Sequence, residues 1–266
     1  MDFRKWTDKY STDCKMKYNS SSTQHNYISC VKLFLFKCKN YREPKEIPNE
    51  VIKLWLLEAK TINTRKHRLC AINSFYKITV GMPSKTTKIP YPKSEKKLPL
   101  VIETEYLKTT ILAIPNLKHK AIIMLGYSCS LRVSEVINLK IEDIDSKRML
   151  INIRNGKGRK DRIVVLSPLL LYTLREYFKV FKPQTYLFNG QGSLLYSSAS
   201  CNQIVKQYLG GNYHFHTLRH SGATTMLENG TDLSLIQKSL GHTNIKTTMI
   251  YTHISQKLLN SMVMPM

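Results

Sequence analysis

Apolar residues recur at helical spacing in some parts of the chain and thin out in others, and this pattern divides it. Over 23–39, "TQHNYISCVKLFLFKCK", the residues Tyr27, Val31, Leu33, Phe34 and Leu35 follow a Ser/Thr cap region and predict a first helix. "IPNEVIKLWLLEAK" opens on Pro48 and Asn49 as boundary signals and carries Val51, Ile52, Leu54, Trp55 and Leu56. "TINTRKHRLCAINSFYKITVG" then sets Leu69, Ile72, Phe75 and Tyr76 on one face before Gly81. Residues 1–82 are therefore expected to form a small helical domain.

Residues 83–99 place prolines at 83, 90, 92 and 99 among closely spaced lysines with little apolar period, the pattern of a basic extended linker. Beyond it, "LKHKAIIMLGYSCSLRVSEVINLK" is helical in period, and "MLINIRNGKGRKDRIVVLS" has two strand-like apolar arms around a Gly/Lys/Arg turn. Later segments return to helices. The expected fold class is mainly α with a small β-sheet (α+β), with a second domain over 100–266.

Composition sharpens the picture. The 266 residues are 42% hydrophobic and 22% charged, as in a folded protein. Lys+Arg total 41 against 18 Asp+Glu, a formal charge of +23, and both halves of the chain share the excess. Such a field attracts polyanions through counterion release, which makes nucleic acid the leading partner. No stretch approaches the roughly 18 consecutive apolar residues of a spanning helix, and no apolar run follows the charged start, so no membrane role is expected and a cytoplasmic protein is. The six cysteines show no CxxC pairing and no zinc spacing, so reduced thiols filling the core are expected, with no metal.

Four separated stretches carry basic or nucleophilic groups: Arg132 in "SLRVSEV", Lys157 in "NGKGRKDR", His216 and Arg219 in "FHTLRHSGAT", and His242 with Tyr251 in "LGHTNIKTTMIYTH". Singly, each has a plainer reading: a solvated charge, a hairpin loop, a salt-bridged helix face, a core aromatic. Together they suit phosphate chemistry. Two arginines can hold non-bridging oxygens as charge builds on phosphorus, and a lysine between glycines can approach a leaving oxygen. A tyrosine hydroxyl can attack phosphorus and conserve the bond energy in an ester.

This ordered set resembles the tyrosine recombinase (phage integrase) family. "LRVSE", "GKGRKDRIVVL", "HTLRHSGAT" and "LGHTNIKTTMIYTH" match the family's boxes in order and approximate spacing over about 117–256, and the helical lobe with its linker resembles the family's core-binding domain more loosely. The resemblance implies catalytic roles for Arg132, Lys157, His216, Arg219, His242 and Tyr251. Arg132 and Arg219 would clamp the scissile phosphate, Lys157 would protonate the 5′ oxygen with Lys160 as its rival, and His216 would be a general base or proton shuttle. His242 would hydrogen-bond the phosphate, and Tyr251 would be the nucleophile. Glu135 is expected to orient active-site side chains, and His220 to be structural.

The same resemblance implies a SAM-like core-binding domain (1–82) and a catalytic domain (100–266) forming a C-shaped clamp on duplex DNA. The reaction would be strand exchange at a specific site through a 3′-phosphotyrosyl bond and a Holliday junction, with no cofactor. It would serve integration or excision of a mobile or viral element, or dimer resolution, in association with the nucleoid or in host cytoplasm. The chain would be a monomer in solution and a tetramer on synapsed sites, with accessory DNA-bending or directionality proteins as further partners and the tail 254–266 docking on a neighbouring protomer. It looks like a minimal Xer-like enzyme without an arm-binding domain. A type IB topoisomerase-like relaxing enzyme and a catalytically silent DNA-binding protein are the alternatives. Expected DNA contacts are Lys37, Lys39, Arg65, Lys66, Arg68, Lys88, Arg159 and Lys160. Two positions depart from the family pattern: Ser130 stands where glycine is common, and Gly222 where an aromatic is common.

Overall fold

The computed structural model describes residues 2–93, 98–154 and 161–255, and these fall into two compact units, Met1–Lys96 and Lys97–Met266. Lys157, Arg159, Lys160 and the tail residues 256–266 lie outside the described residues.

The first unit is helical. Helix α1 (Phe3–Lys17) begins where the Asp2 carboxylate accepts the Lys5 N–H, and it buries Thr7, Tyr10 and Cys14. It was not among the expected helices, because its apolar residues are isolated among charges and form a stripe only once wound at 3.6 residues per turn. Helix α2 (Ser21–Lys37) is capped by Ser20, α3 (Asn49–Leu57) starts after Pro48, and α4 (Ile62–Phe75) is capped by Thr61. A π turn over Tyr76–Val80 prolongs α4 until Gly81, at φ +78°, ends it in the left-handed region glycine tolerates. Tyr10, Phe34, Trp55, Phe75 and Tyr76 fill the core, and the buried hydroxyls of Tyr10 and Tyr76 donate to the carbonyls of Ala71 and Pro44. The stretch expected as an extended linker starts as a 3-10 turn, Pro83–Thr86, with Thr86 buried and Ile89 packed on this core.

The second unit is built around α6 (Leu117–Ser128). Ala121 to Gly126 are all buried, so this helix is apolar all round at its centre. Around it lie α5 (Thr104–Ala113), α8 (Pro168–Phe181), α9 (Ser198–Leu209) and α10 (Phe215–Glu228). The predicted helical stretch after α6 is broken. Cys129 caps α6, Ser130 turns the chain at φ +49°, and a separate short helix α7 (Val133–Ile137) follows.

The two predicted arms form β2 (Leu150–Ile153) and β3 (Arg162–Val165), antiparallel with Leu150 opposite Val165 and Ile153 opposite Arg162. A short β1 (Ile144–Asp145) adds to β2, giving the order β1-β2-β3. Helix α11 (Leu233–Leu240) is followed by two 3-10 turns, Ile245–Thr247 and Met249–Tyr251. The chain is mainly helical with one small sheet, as its periodicities indicate.

Candidate active site

Arg132 stands at the N-cap of α7, and Glu135 in the first turn of that helix answers it. The Arg132 backbone N–H donates to Glu135 Oε2 at 2.7 Å and its Nη1 donates to Oε1 at 2.8 Å. Glu135 is buried, and Arg162 at the start of β3 reaches the same carboxylate with Nη1 at 2.6 Å and Nη2 at 2.8 Å. Arg219 Nη1 lies 3.9 Å from it. Burial by itself pushes a carboxyl up, but hydrogen bonding and charge from Arg162, joined by Arg132, outweigh it and hold Glu135 down at about 2.

Arg219 projects from α10 and is 1% exposed. Its Nη1 donates to the Ser130 carbonyl at 2.7 Å and its Nη2 to the Leu240 carbonyl at 2.6 Å. The turn at Ser130 presents the first acceptor, and the C-terminus of α11 presents the second at the negative end of its dipole. Burial, then Arg132, lowers Arg219 to about 10. Gly241 at φ +62° closes α11, where a side chain would also crowd Arg162 Cδ at 3.0 Å.

This turn delivers His242, whose Nε2 lies 3.2 Å from Arg219 Nη2 and whose Nδ1 lies 2.9 Å from Thr248 Oγ1. An arginine only donates, so Nε2 accepts and the ring proton sits on Nδ1, facing Thr248. Burial and Arg219 lower His242 to about 4, which keeps it neutral at pH 7.

The second 3-10 turn brings Tyr251 back onto α10, where it is buried against Ala223, Ile236 and Leu240. Its hydroxyl lies 3.2 Å from Nδ1 of His220. Burial raises the phenol's pKa while Arg219 and Arg132 oppose that rise, and burial, then His216, lowers His220 to about 4. His216 is exposed, with its ring edge-on to His220 at a centroid distance of 4.9 Å.

Arg132, Glu135, Arg219, His242, His220 and Tyr251 thus converge from two helices, α7 and α10, and two turns, the one after α11 and the second 3-10 turn. The three guanidinium groups of Arg132, Arg162 and Arg219 share one carboxylate, leaving an excess of positive charge suited to an anion with several oxygens. His216 adjoins the group through His220, while Lys157 and its rival Lys160 lie outside the described residues.

Sequence reasoning passed over Arg162, Thr248 and the contact between His220 and Tyr251. Arg162 had a signal in strand alternation: it shares a face with buried Val164, while Ile163 and Val165 point outward. The other two depend on how the final turns fold back.

The expected DNA contacts of the first unit differ in their surroundings. Lys37 pairs with Glu58, and Arg68 stacks on the Trp55 ring at 4.6 Å while donating to the Trp55 carbonyl. Lys39 and Lys66 lie over the rings of Phe36 and Tyr91. Arg65 is half-buried, and Lys88 is exposed.

The family model for "Phage integrase family" matches residues 103–257. The chain is 39% identical over 202 residues to "Tyrosine recombinase XerA" of Pyrococcus horikoshii, covering 73% of this chain and 70% of that protein. It is 34% identical over 248 residues to "Tyrosine recombinase XerC" of Chlamydia caviae, covering 82% and 78%. The crystal structure of XerA recombinase aligns with a TM-score of 0.56 at 27% identity, covering 97% of this chain and 96% of that one. On the strength of the matched domain and these relatives, the chain belongs to the phage integrase family of tyrosine recombinases.

Proposed function

We propose that the chain is a site-specific recombinase that cuts and rejoins duplex DNA, with Tyr251 as the attacking group. The observation that carries this reading is the convergence of Arg132, Arg219 and His242 near a tyrosine whose hydroxyl already contacts an imidazole. Family membership and the chain's charge of +23 support DNA as the substrate.

In this reading Arg132 and Arg219 hold the non-bridging oxygens of the scissile phosphate, and Glu135 with Arg162 keeps Arg132 in place. Arg219 exchanges part of its hold on backbone carbonyls and on His242 Nε2 for phosphate oxygens. His242, released from Arg219, takes the tautomer with its proton on Nε2 and donates it to the same phosphate while Nδ1 accepts from Thr248. Tyr251 attacks phosphorus and forms a 3′-phosphotyrosyl bond, while Lys157 or Lys160 protonates the departing 5′ oxygen. One phosphate ester is exchanged for another, so the bond energy is retained for rejoining.

The first unit then serves as the core-binding domain, with Lys37, Lys39, Arg65, Lys66, Arg68 and Lys88 toward the DNA backbone. Exchange of strands proceeds through a Holliday junction in a tetramer, with 254–266 linking neighbouring protomers.

Covalent trapping tests this reading. Wild type and Tyr251→Phe are incubated with nicked suicide duplexes carrying the DNA that flanks the chain's own gene, and with a randomised duplex library. A DNA-bearing band on denaturing gels in the wild type, lost in the variant, is expected. Binding without capture by either protein rules out the nucleophile and leaves a silent DNA binder.

A further inference from the structure

A buried phenol attacks phosphorus poorly unless something takes its proton, and the imidazole against this hydroxyl is not the one the sequence indicated. His216 carries the expected base role, yet it is His220, one turn further along α10, whose Nδ1 lies 3.2 Å from Tyr251 Oη. We propose that His220 accepts the proton of Tyr251 during cleavage and returns it during rejoining, a role that rests on the reading of Tyr251 as nucleophile.

Three observations carry the assignment. Among the described residues His220 supplies the hydrogen bond to Oη, and in the tautomer with the ring proton on Nε2 the phenol donates to Nδ1. His242, the other half-buried imidazole of the group, has both nitrogens engaged, by Arg219 and Thr248. His216 stands edge-on to His220 at 4.9 Å and is exposed, which places it between His220 and solvent as a route for protons rather than as first acceptor.

The step balances as follows. The Oη–H bond breaks toward Nδ1 as the Oη–P bond forms; the P–O5′ bond breaks, its electron pair leaves on O5′, and that oxygen takes a proton from Lys157 or Lys160. On rejoining, the 5′-hydroxyl gives its proton back to that lysine as O5′ bonds to the phosphotyrosyl phosphorus; the P–Oη bond breaks with its electron pair on Oη, and the His220 imidazolium reprotonates Oη. His220 is a weak base at rest, held neutral by burial. Transfer becomes favourable within the step, because bonding to phosphorus acidifies the phenol and the charge gathering on phosphorus stabilises the imidazolium beside it.

Duplexes captured by the wild type from a randomised library serve as substrate for His220→Ala and His220→Asn. Binding is expected to stay within about twofold, with adduct formation slowed about a hundredfold or more and partly restored in His220→Ala by free imidazole. His220→Asn keeps an acceptor near the phenol without a basic nitrogen, and it is expected to remain slow. Wild-type rates in either variant overturn the proposal, the asparagine result by reducing His220 to a positioning residue. A DNA-free readout covers variants that do not fold: the ¹⁵N resonance of His220 Nδ1 should move in Tyr251→Phe, and an unchanged signal removes the contact. Failure of the wild type to capture any duplex sinks the nucleophile reading itself, an outcome distinct from a wild type that cleaves alongside variants that match it.

Discussion

Arg162 and Glu135 form a two-pronged ion pair, Nη1 to Oε1 at 2.6 Å and Nη2 to Oε2 at 2.8 Å, while Arg162 Nε donates to the Ser239 carbonyl at 2.7 Å. One side chain therefore joins β3 to α7 and to the end of α11, just ahead of the turn that delivers His242. Arg162→Ala leaves a buried carboxylate short of its main partner and is expected to cost about 3–5 kcal/mol in denaturant unfolding. Arg162→Lys keeps the charge without the fork and should fall between the two, with slower adduct formation.

Thr248 anchors the ring of His242 through Nδ1 from a fully buried position. Thr248→Val preserves the shape and removes the hydroxyl. Adduct formation is expected to fall about 10- to 100-fold, the usual effect of losing a group that orients a site side chain, while DNA binding by mobility shift stays near wild type.

Stability should decline in two stages on acidification. His220 and His242 are held near 4 against an ordinary value of 6.5, so both are neutral in folded and unfolded chains above pH 6.5. Below that, the unfolded chain takes up protons that the folded one refuses, because of burial first and then of Arg219, Arg132, Arg162 and His216, and stability falls toward pH 4. Glu135 adds a second fall as pH drops from its ordinary 4.5 to its folded value of about 2. Thermal melts across pH should show His242→Gln flattening the first stage and Glu135→Gln the second.

Ser130, in the turn after α6, packs against α10 where Gly222 leaves room for it. Ser130 holds φ +49°, a left-handed conformation that costs a non-glycine residue about 1 kcal/mol, so Ser130→Gly is expected to raise stability by about that amount. At Gly222 an added Cβ would overlap the Tyr127 carbonyl and stand 2.6 Å from Ser130 Oγ. Gly222→Ala should therefore lower stability by about 1–3 kcal/mol, and adding Ser130→Gly should restore only part of it, since the Tyr127 contact is backbone. Equal melting temperatures for Gly222→Ala and wild type would contradict this packing.

Local order set much of this molecule. Helical period, Ser and Thr caps, the start at Pro48 and the stop at Gly81 define most helices, and two apolar arms define the hairpin, because these features act between residues close in the chain. The same closeness made Arg132 with Glu135, and His216 with Arg219, legible as pairs on one turn. Helix α1 escaped because isolated apolar residues become a stripe only when a core gives them something to face. Tertiary structure alone decided that Arg162 meets Glu135 across 27 residues, that Arg219 reaches carbonyls 89 and 21 residues away, and that Tyr251 returns to His220 across 31. The sequence by itself determined which groups were available and roughly in what order. Which imidazole meets the tyrosine depended on the left-handed turn at Gly241 and the two 3-10 turns after it, whose path is set by packing of Ile236, Leu240 and Tyr251 rather than by any local pattern.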